Sequence, residues 1–251
     1  MTGRQDADRG PGPGCDAREA PADALQSWRE PVRRHLGPRP GMSVLDLGAG
    51  AGTFARAFAD WFGVEVLAVE PSEPARTQMP PHPHVRVLRG RADDLPVPES
   101  GVDGAWLSRV THHLGDLDVA AAELRRALRP GAPVLVREVF AGRCDGSTLV
   151  RFFPEAQRRI DTYPSVEQTC AAFAGAGFEQ VALEAVAQWI APNLATFIRG
   201  LRRDADGLLR SLSDEEFARG MDRLRAAGEA EGEGDGTYVP VLDRVDLLVL
   251  R

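Results

Sequence analysis

The chain is predicted to fold as an α/β protein, a parallel sheet with helices on both faces. Three observations lead there. From Ser43 onward, short apolar runs alternate with stretches of helical periodicity, the pattern of strands joined by helical crossovers. The first run, ending Val44-Leu45-Asp46-Leu47, passes straight into Gly48-Ala49-Gly50-Ala51-Gly52, a glycine-rich turn between a strand and a helix. The second run, Val64 to Val69, closes on a carboxylate, Glu70.

The elements follow in order. Residues 1–22 are polar and rich in glycine and proline, with too little apolar surface to pack, and are expected to be a disordered tail. A first helix is expected over Ala24–His35, where Leu25, Trp28, Val32 and Leu36 recur at helical spacing, and Gly37-Pro38-Arg39-Pro40-Gly41 ends it. Strands are expected at Ser43–Leu47, Val64–Val69, Val85–Leu88, Val102–Leu107 and Pro133–Val139, with helices at Thr53–Trp61 and Asp118–Leu128 between them. After Phe140 the rhythm breaks, and Ala141 to Pro164 has no clean period. A helix (Ser165–Ala176) and a long strand (Val181–Ile190) come next. Two helices are expected between Pro192 and Ala227, the second opening at Ser213-Asp214-Glu215-Glu216, where short polar side chains satisfy free amides. Gly228 to Gly236 alternates glycine with acidic residues and reads as a flexible loop before a last strand, Val245–Leu250. The expected organisation is one domain over 23–251, with a core at 43–140 and added pieces at 141–164 and 192–236.

Composition narrows the function classes. The chain has 251 residues and a net charge of -7, which argues against nucleic acid as a partner. No apolar run approaches the ~20 residues that span a bilayer, and Met1–Gly14 lacks the apolar stretch of a signal peptide, so a cytoplasmic protein without a membrane partner is expected. Cys15, Cys144 and Cys170 fit neither a disulfide framework nor a metal site, and no metal is expected.

A strand, a glycine turn, a helix and a second strand ending in a carboxylate together form a unit that holds a nucleoside. The glycine spacing says which kind. The dinucleotide fingerprint needs glycine at 53, where this chain has Thr53, and Asp46 would face a pyrophosphate unfavourably. The alternating Gly48, Gly50 and Gly52 leave the loop open for a bulkier ligand without phosphate.

With these residues the chain resembles the class I S-adenosylmethionine-dependent methyltransferases, whose first motif is Asp/Glu-x-Gly-x-Gly-x-Gly. Val69-Glu70-Pro71-Ser72 looks like the family's second motif. Gly90-Arg91-Ala92-Asp93-Asp94-Leu95-Pro96 looks like its adenine-side loop, and Ser108-Arg109-Val110-Thr111-His112-His113-Leu114 like the segment after strand four. Glu123-Leu124-Arg125-Arg126-Ala127-Leu128-Arg129-Pro130-Gly131 is similar to the run before strand five. The closest likeness is to the small-molecule branch of ubiquinone-biosynthesis type. The resemblance implies a Rossmann-like sheet of seven strands, mostly parallel with the last antiparallel, preceded by a helical cap. It implies S-adenosylmethionine as cofactor and S-adenosylhomocysteine as product. Cofactor contacts are implied at Asp46, Gly48, Ala49, Gly50, Gly52, Glu70, Pro71, Ala92, Asp93 and Ser108, with Glu70 on the ribose hydroxyls. Asp46 either touches the ligand or organises the loop's amides, and Asp93 or Asp94 either meets the adenine or caps a short helix. Many relatives carry Asp where this chain has Arg91.

Methyl transfer from a sulfonium is an in-line displacement of an already activated group, so alignment and exclusion of water do most of the work. A base is needed where the acceptor arrives protonated. His112 or His113, after strand four, is the candidate base or substrate contact, the alternative being ordinary helix-start residues. Glu138 is a weaker candidate, with Arg137 or Arg143 as a possible ion-pair partner. A small-molecule acceptor is expected against Arg151, Phe152, Phe153 and Tyr163, with Arg158 and Arg159 able to receive an anion. The competing expectation makes the aromatics a satellite core and the arginines a solvated face. The rival function is a protein that binds S-adenosylmethionine structurally, as a non-methylating cyclase or a non-catalytic subunit. Acceptor identity and oligomeric state stay open.

Overall fold

The breaker residues between 37 and 41 separate a first helix, α1 (Ala22–Leu36), from a strand, β1 (Ser43–Leu47), whose apolar residues are buried on both faces. The computed structural model describes residues 22–232 and 239–251, so residues 1–21 of the expected N-terminal tail lie outside the described residues, while its last residue, Ala22, opens α1. After β1 come α2 (Thr53–Phe62), β2 (Glu65–Val69), α3 (Glu73–Gln78), β3 (Val85–Leu88), β4 (Gly104–Ser108), α4 (Leu117–Ala127) and β5 (Val134–Glu138). The remainder comprises α5 (Thr148–Phe152), α6 (Gln157–Ile160), α7 (Val166–Gly175), β6 (Gln180–Ala191), α8 (Leu194–Gly200), α9 (Gly207–Arg210), α10 (Asp214–Gly232) and β7 (Val241–Leu250).

The seven strands form one sheet in the order β3-β2-β1-β4-β5-β7-β6. All are parallel except β7, which runs antiparallel to both β5 and β6. This is the Rossmann-like sheet with an antiparallel last strand that the sequence led us to expect. Strand order reverses between β1 and β4, so the crevice above their carboxyl ends is where such a sheet takes a ligand. Trp28, Val32, Phe58, Trp106 and Leu135 fill the core between the sheet and α1 and α2. Leu47, Leu107, Leu124, Phe173 and Phe178 fill the core under α4 and α7. A third cluster, with Phe152, Phe153, Ile160, Tyr163, Phe197 and Leu224, belongs to the added helices.

Four local differences have physical causes. The strand expected from Val102 starts at Gly104, because Val102 pairs instead with Leu128 in an isolated bridge, while the Asp103 carboxylate holds the Ser43 N–H (2.8 Å) and Arg129. The unforeseen α3 is capped by Ser72, whose hydroxyl accepts from Ala75 N. Three helices, not two, occupy 194–232. The buried Asp206 accepts the Leu208 and Leu209 N–H groups and so starts α9 separately. The segment expected to be flexible from Gly228 is helical through Gly232. There Glu231 accepts the Leu194 N–H at 3.0 Å and ties the end of α10 to α8. Residues 233–236 of that segment lie outside the described residues. Among the described residues no helix is long and apolar enough to cross a membrane.

Candidate active site

Gly48, Gly50 and Gly52 all have left-handed backbones (φ 72°, 56° and 80°), which explains why glycine stands at each. The loop they form is closed by β2. The Gly48 and Ala49 N–H groups donate to the Val69 carbonyl, and Gly50 N–H donates to Glu70 Oε2 at 2.9 Å. The other Glu70 oxygen accepts the Ser72 N–H at 2.8 Å, while Arg76 holds the carbonyls of Glu70 and Pro71. The carboxylate expected to meet a ligand is therefore built into the loop. Each oxygen still has a lone pair for a further donor.

Asp46 lies under this loop at the end of β1, almost fully buried at 2% exposure. It is in register with Trp106 and Ala68 and so faces α2. One oxygen is engaged by the Ala55 N–H in the first turn of α2, and Oδ2 has no hydrogen-bond partner. Burial, and then the neighbouring Glu70 carboxylate, push Asp46 up to about 7, against the pull of the Ala55 N–H.

On the far side of β2, Arg91 and Asp94 form a small bridge, and Asp93 is exposed with the Arg91 guanidinium 3.2 Å away. No helix begins there for Asp93 or Asp94 to cap. Leu95 N donates to Glu123 Oε2, and Arg126 donates to the Val97 and Leu95 carbonyls. Glu123 and Arg126, paired with each other on α4, thus anchor the loop carrying Ala92 and Asp93. Their spacing suited a helical ion pair, but nothing local announced this anchoring.

At the carboxyl end of β4, Ser108 accepts from Arg137 Nη1 at 3.1 Å. Arg109 then takes a left-handed backbone (φ 55°) and turns the chain into a 3-10 turn, Thr111–His113. Val110 packs on Gly48, so this turn abuts the glycine loop. Glu138, at the end of β5 and 1% exposed, receives the Thr111 hydroxyl (2.8 Å) and His112 Nδ1 (3.1 Å) on Oε2, and the Val139 N–H (3.1 Å) on Oε1. Burial pushes the Glu138 carboxyl up. The His112 hydrogen bond and charge, Arg109 and the Thr111 hydroxyl outweigh this and hold it below the usual carboxylate value. The expected pairing of Glu138 with Arg137 or Arg143 does not occur. Arg143 engages Asp246, and Arg137 donates to Gln188 at 2.6 Å. His113 is exposed and stands beside His112, with ring centroids 4.1 Å apart.

The Tyr163 ring stacks flat on His112, with centroids 4.0 Å apart and 10° between planes. Both rings line a cavity of about 760 Å³ between the 3-10 turn and the segment Asp161–Ala172. Of the four residues expected around the acceptor, Tyr163 is in this wall. Phe152 and Phe153 are buried inside the third core cluster, and Arg151 is exposed on α5 with its guanidinium 5.1 Å from the Phe152 ring. The competing expectation of a satellite core describes those two phenylalanines. Arg158 pairs with Glu216.

Residues 45–136, the stretch from β1 through β5 that builds this crevice, match the family model of a methyltransferase domain. Over that stretch the chain carries a methyltransferase domain similar to those of the S-adenosylmethionine-dependent methyltransferases. Among curated members, the demethylmenaquinone methyltransferase of Lysinibacillus sphaericus is 23% identical over 184 residues, covering 63% of this chain and 79% of that one. Against other curated relatives at 34–35% identity, the chain spans only 36–48% of their length. Among solved methyltransferase-like folds, a candidate methyltransferase of an antibiotic biosynthesis pathway from Anabaena variabilis superposes with a TM-score of 0.72. It is 18% identical and covers 89% of this chain and 96% of that chain. The [4+2]-cyclase SpnF superposes with a TM-score of 0.58 at 18% identity, over 89% and 79% of the two chains.

Proposed function

We propose that this methyltransferase moves a methyl group from S-adenosylmethionine to a small-molecule acceptor. One observation carries the reading. The left-handed glycine loop is fastened to a buried carboxylate that retains acceptor capacity, beside a second buried carboxylate with an orphaned oxygen. A nucleoside diol and a cationic amino acid head suit those groups, whereas a pyrophosphate would meet two carboxylates and no cation in the loop.

On this reading Glu70 accepts the ribose hydroxyls, and Gly48, Ala49, Gly50 and Gly52 carry the backbone against the donor. Asp46 faces its amino acid end. Pro71, Ala92 and Asp93 flank the adenine, and Ser108 borders the methionine side at the end of β4. When bound, S-adenosylmethionine supplies an activated methyl on a sulfonium. The chain's own residues have to align the acceptor with it and exclude water, an alignment worth ~7–11 kcal/mol in favourable cases. The helices at 148–175 and 194–232 form the acceptor side of one methyltransferase domain. The demethylmenaquinone methyltransferase, by its name, acts on a small molecule, which supports that acceptor class. Net charge of -7 disfavours nucleic acid.

Calorimetric titration with S-adenosylmethionine and S-adenosylhomocysteine tests the donor site. Glu70→Ala should weaken both by roughly tenfold or more, since a charge-assisted hydrogen bond is worth about 1.5–3 kcal/mol. Unchanged affinity would remove the ribose assignment. A second reading has one observation in its favour, the superposition on a cyclase. Intact S-adenosylmethionine alongside a rearranged acceptor, with no S-adenosylhomocysteine formed, would select it over methyl transfer.

A further inference from the structure

We propose that His112 Nε2 takes the proton from a neutral, hydroxyl-bearing acceptor seated in the cavity beside Tyr163, and that Glu138 is the residue that positions His112 for this. The proposal rests on the methyl-transfer reading and names the acceptor chemistry it leaves open.

The argument starts from donor and acceptor counting. A carboxylate only accepts, so the hydrogen between His112 Nδ1 and Glu138 Oε2 belongs to the ring nitrogen. In the neutral ring that leaves the lone pair on Nε2, and among the described residues Nε2 makes no hydrogen bond. Three donors converge on Glu138, from Thr111, His112 and Val139, and the carboxyl is held below its ordinary value despite burial. It is therefore an anion placed to stabilise an imidazolium at His112. The ring cannot swing away, because Tyr163 stacks on one side, His113 stands beside it, and its side chain is only 6% exposed. Geometry of this kind is what a fixed base needs.

The location agrees with that role. Val110 packs on Gly48, and His112 follows two residues later, so the turn that lends His112 to the cavity wall abuts the glycine loop. A volume of about 760 Å³ suits a drug-sized molecule. Leu114, Leu117 and Pro164 give the wall apolar surface, and its charged lining residues are Asp118 and Asp161, which disfavour an anionic acceptor. An anion or a free amine would need no base before attack, whereas a neutral hydroxyl does. The groups facing His112 are Glu138 from β5, Arg109 and His113 from the segment after β4, and Tyr163 from the loop before α7.

The step balances. The acceptor O–H bond breaks and its proton goes to Nε2. The oxygen forms a bond to the methyl carbon while the carbon–sulfur bond breaks and its electron pair stays on sulfur. The positive charge lost at sulfur appears on His112, opposite Glu138.

Two measurements test this. The first is ¹⁵N NMR of the histidine rings in the cofactor-free protein, with His112 assigned by the signal missing in His112→Gln. The neutral ring should carry its proton on Nδ1, and Glu138→Gln should shift it toward a mixture while Glu138→Asp keeps it. An Nε2-protonated ring in the parent protein overturns the proposal. The second is turnover of S-adenosylmethionine with a panel of phenols, naphthols and sugars. A methyl ether should form with S-adenosylhomocysteine. His112→Gln should lower kcat about 100-fold or more, and Glu138→Gln by about tenfold or more, with little change in the KM of the donor and partial recovery in Glu138→Asp. Parental rates in both His112→Gln and Glu138→Gln, or methylation confined to carbon, overturn it. Donor binding is read separately by calorimetry. Its failure would remove the methyl-transfer reading, while the tautomer would still judge the pair.

Discussion

Asp46 carries one oxygen without a partner in a place with almost no access to water. Its ordinary value is 3.8, and in the folded protein burial and Glu70 push it up to about 7. Between those two values the folded protein binds more protons than the unfolded chain, so this group's contribution to stability falls as pH rises from about 4 to about 7. Asp46→Asn keeps an acceptor for the Ala55 N–H and removes the charge. At pH 8 it should melt a few degrees above the parent protein, and the gap should close toward pH 4, as followed by calorimetric melting in the absence of cofactor. A gap of the same size at both ends would show that the charge is not the cause. At this scale the glycine loop was readable, because the glycines and Glu70 are brought together by spacing within one βαβ unit. The His112–Glu138 contact was not. Ser108 pairs with Arg137 across β4 and β5, and only that register brings the next residues of the two segments together.

Among the elements, α1 shows how a helix outside the alternating strands still shapes the site. Its Trp28 is buried against Trp106, and the indole N–H donates to Gln188 on β6 at 2.9 Å. Gln188 Oε1 in turn accepts from Arg137, which reaches Ser108 at the end of β4. Trp28→Phe keeps most of the packing and loses the hydrogen bond, so urea unfolding should show a loss of about 1 kcal/mol. Trp28→Ala empties a core position and should cost roughly 3–5 kcal/mol. Similar losses in the two variants would mean that the hydrogen bond, not the ring, dominates. Element by element, β1 and β3 match their expected spans because short apolar runs ended by glycine, proline or polar residues have few alternatives. The six-residue α3 and the last turns of α10 escaped. The first is set by a single serine cap, the second by tertiary contacts that override three glycines in the helix.

At the scale of the whole molecule, the sheet carries the crevice where its strand order reverses, and the added helices carry a core of their own. Phe153 is fully buried in that core, stacks on Phe217 with ring centroids 5.7 Å apart, and fills the space that a side chain at Gly220 would need. Phe153→Ala should destabilise this layer by roughly 3–5 kcal/mol and raise amide exchange in α5, α8 and α10, with β1, β4 and β5 still protected. Equal loosening of the strands would show that cap and sheet unfold as one unit. The boundary between the two layers was visible in the sequence as the lost rhythm after Phe140. How the cap helices interlock was not, since residues as distant as Phe153 and Phe217 meet there.

The antiparallel strand has a consequence for the order in which the molecule is made. β7 lies between β5 and β6, and it supplies the partner that joins β6 to the rest of the sheet. During synthesis β1 to β5 can assemble as soon as they emerge, but β6 then waits, with its hydrogen-bonding groups unmatched, until the last strand arrives. For that interval the growing chain exposes an edge on β5 and a twelve-residue strand, both open to pairing with another chain. The closing strand thus protects the newborn protein as well as completing its sheet.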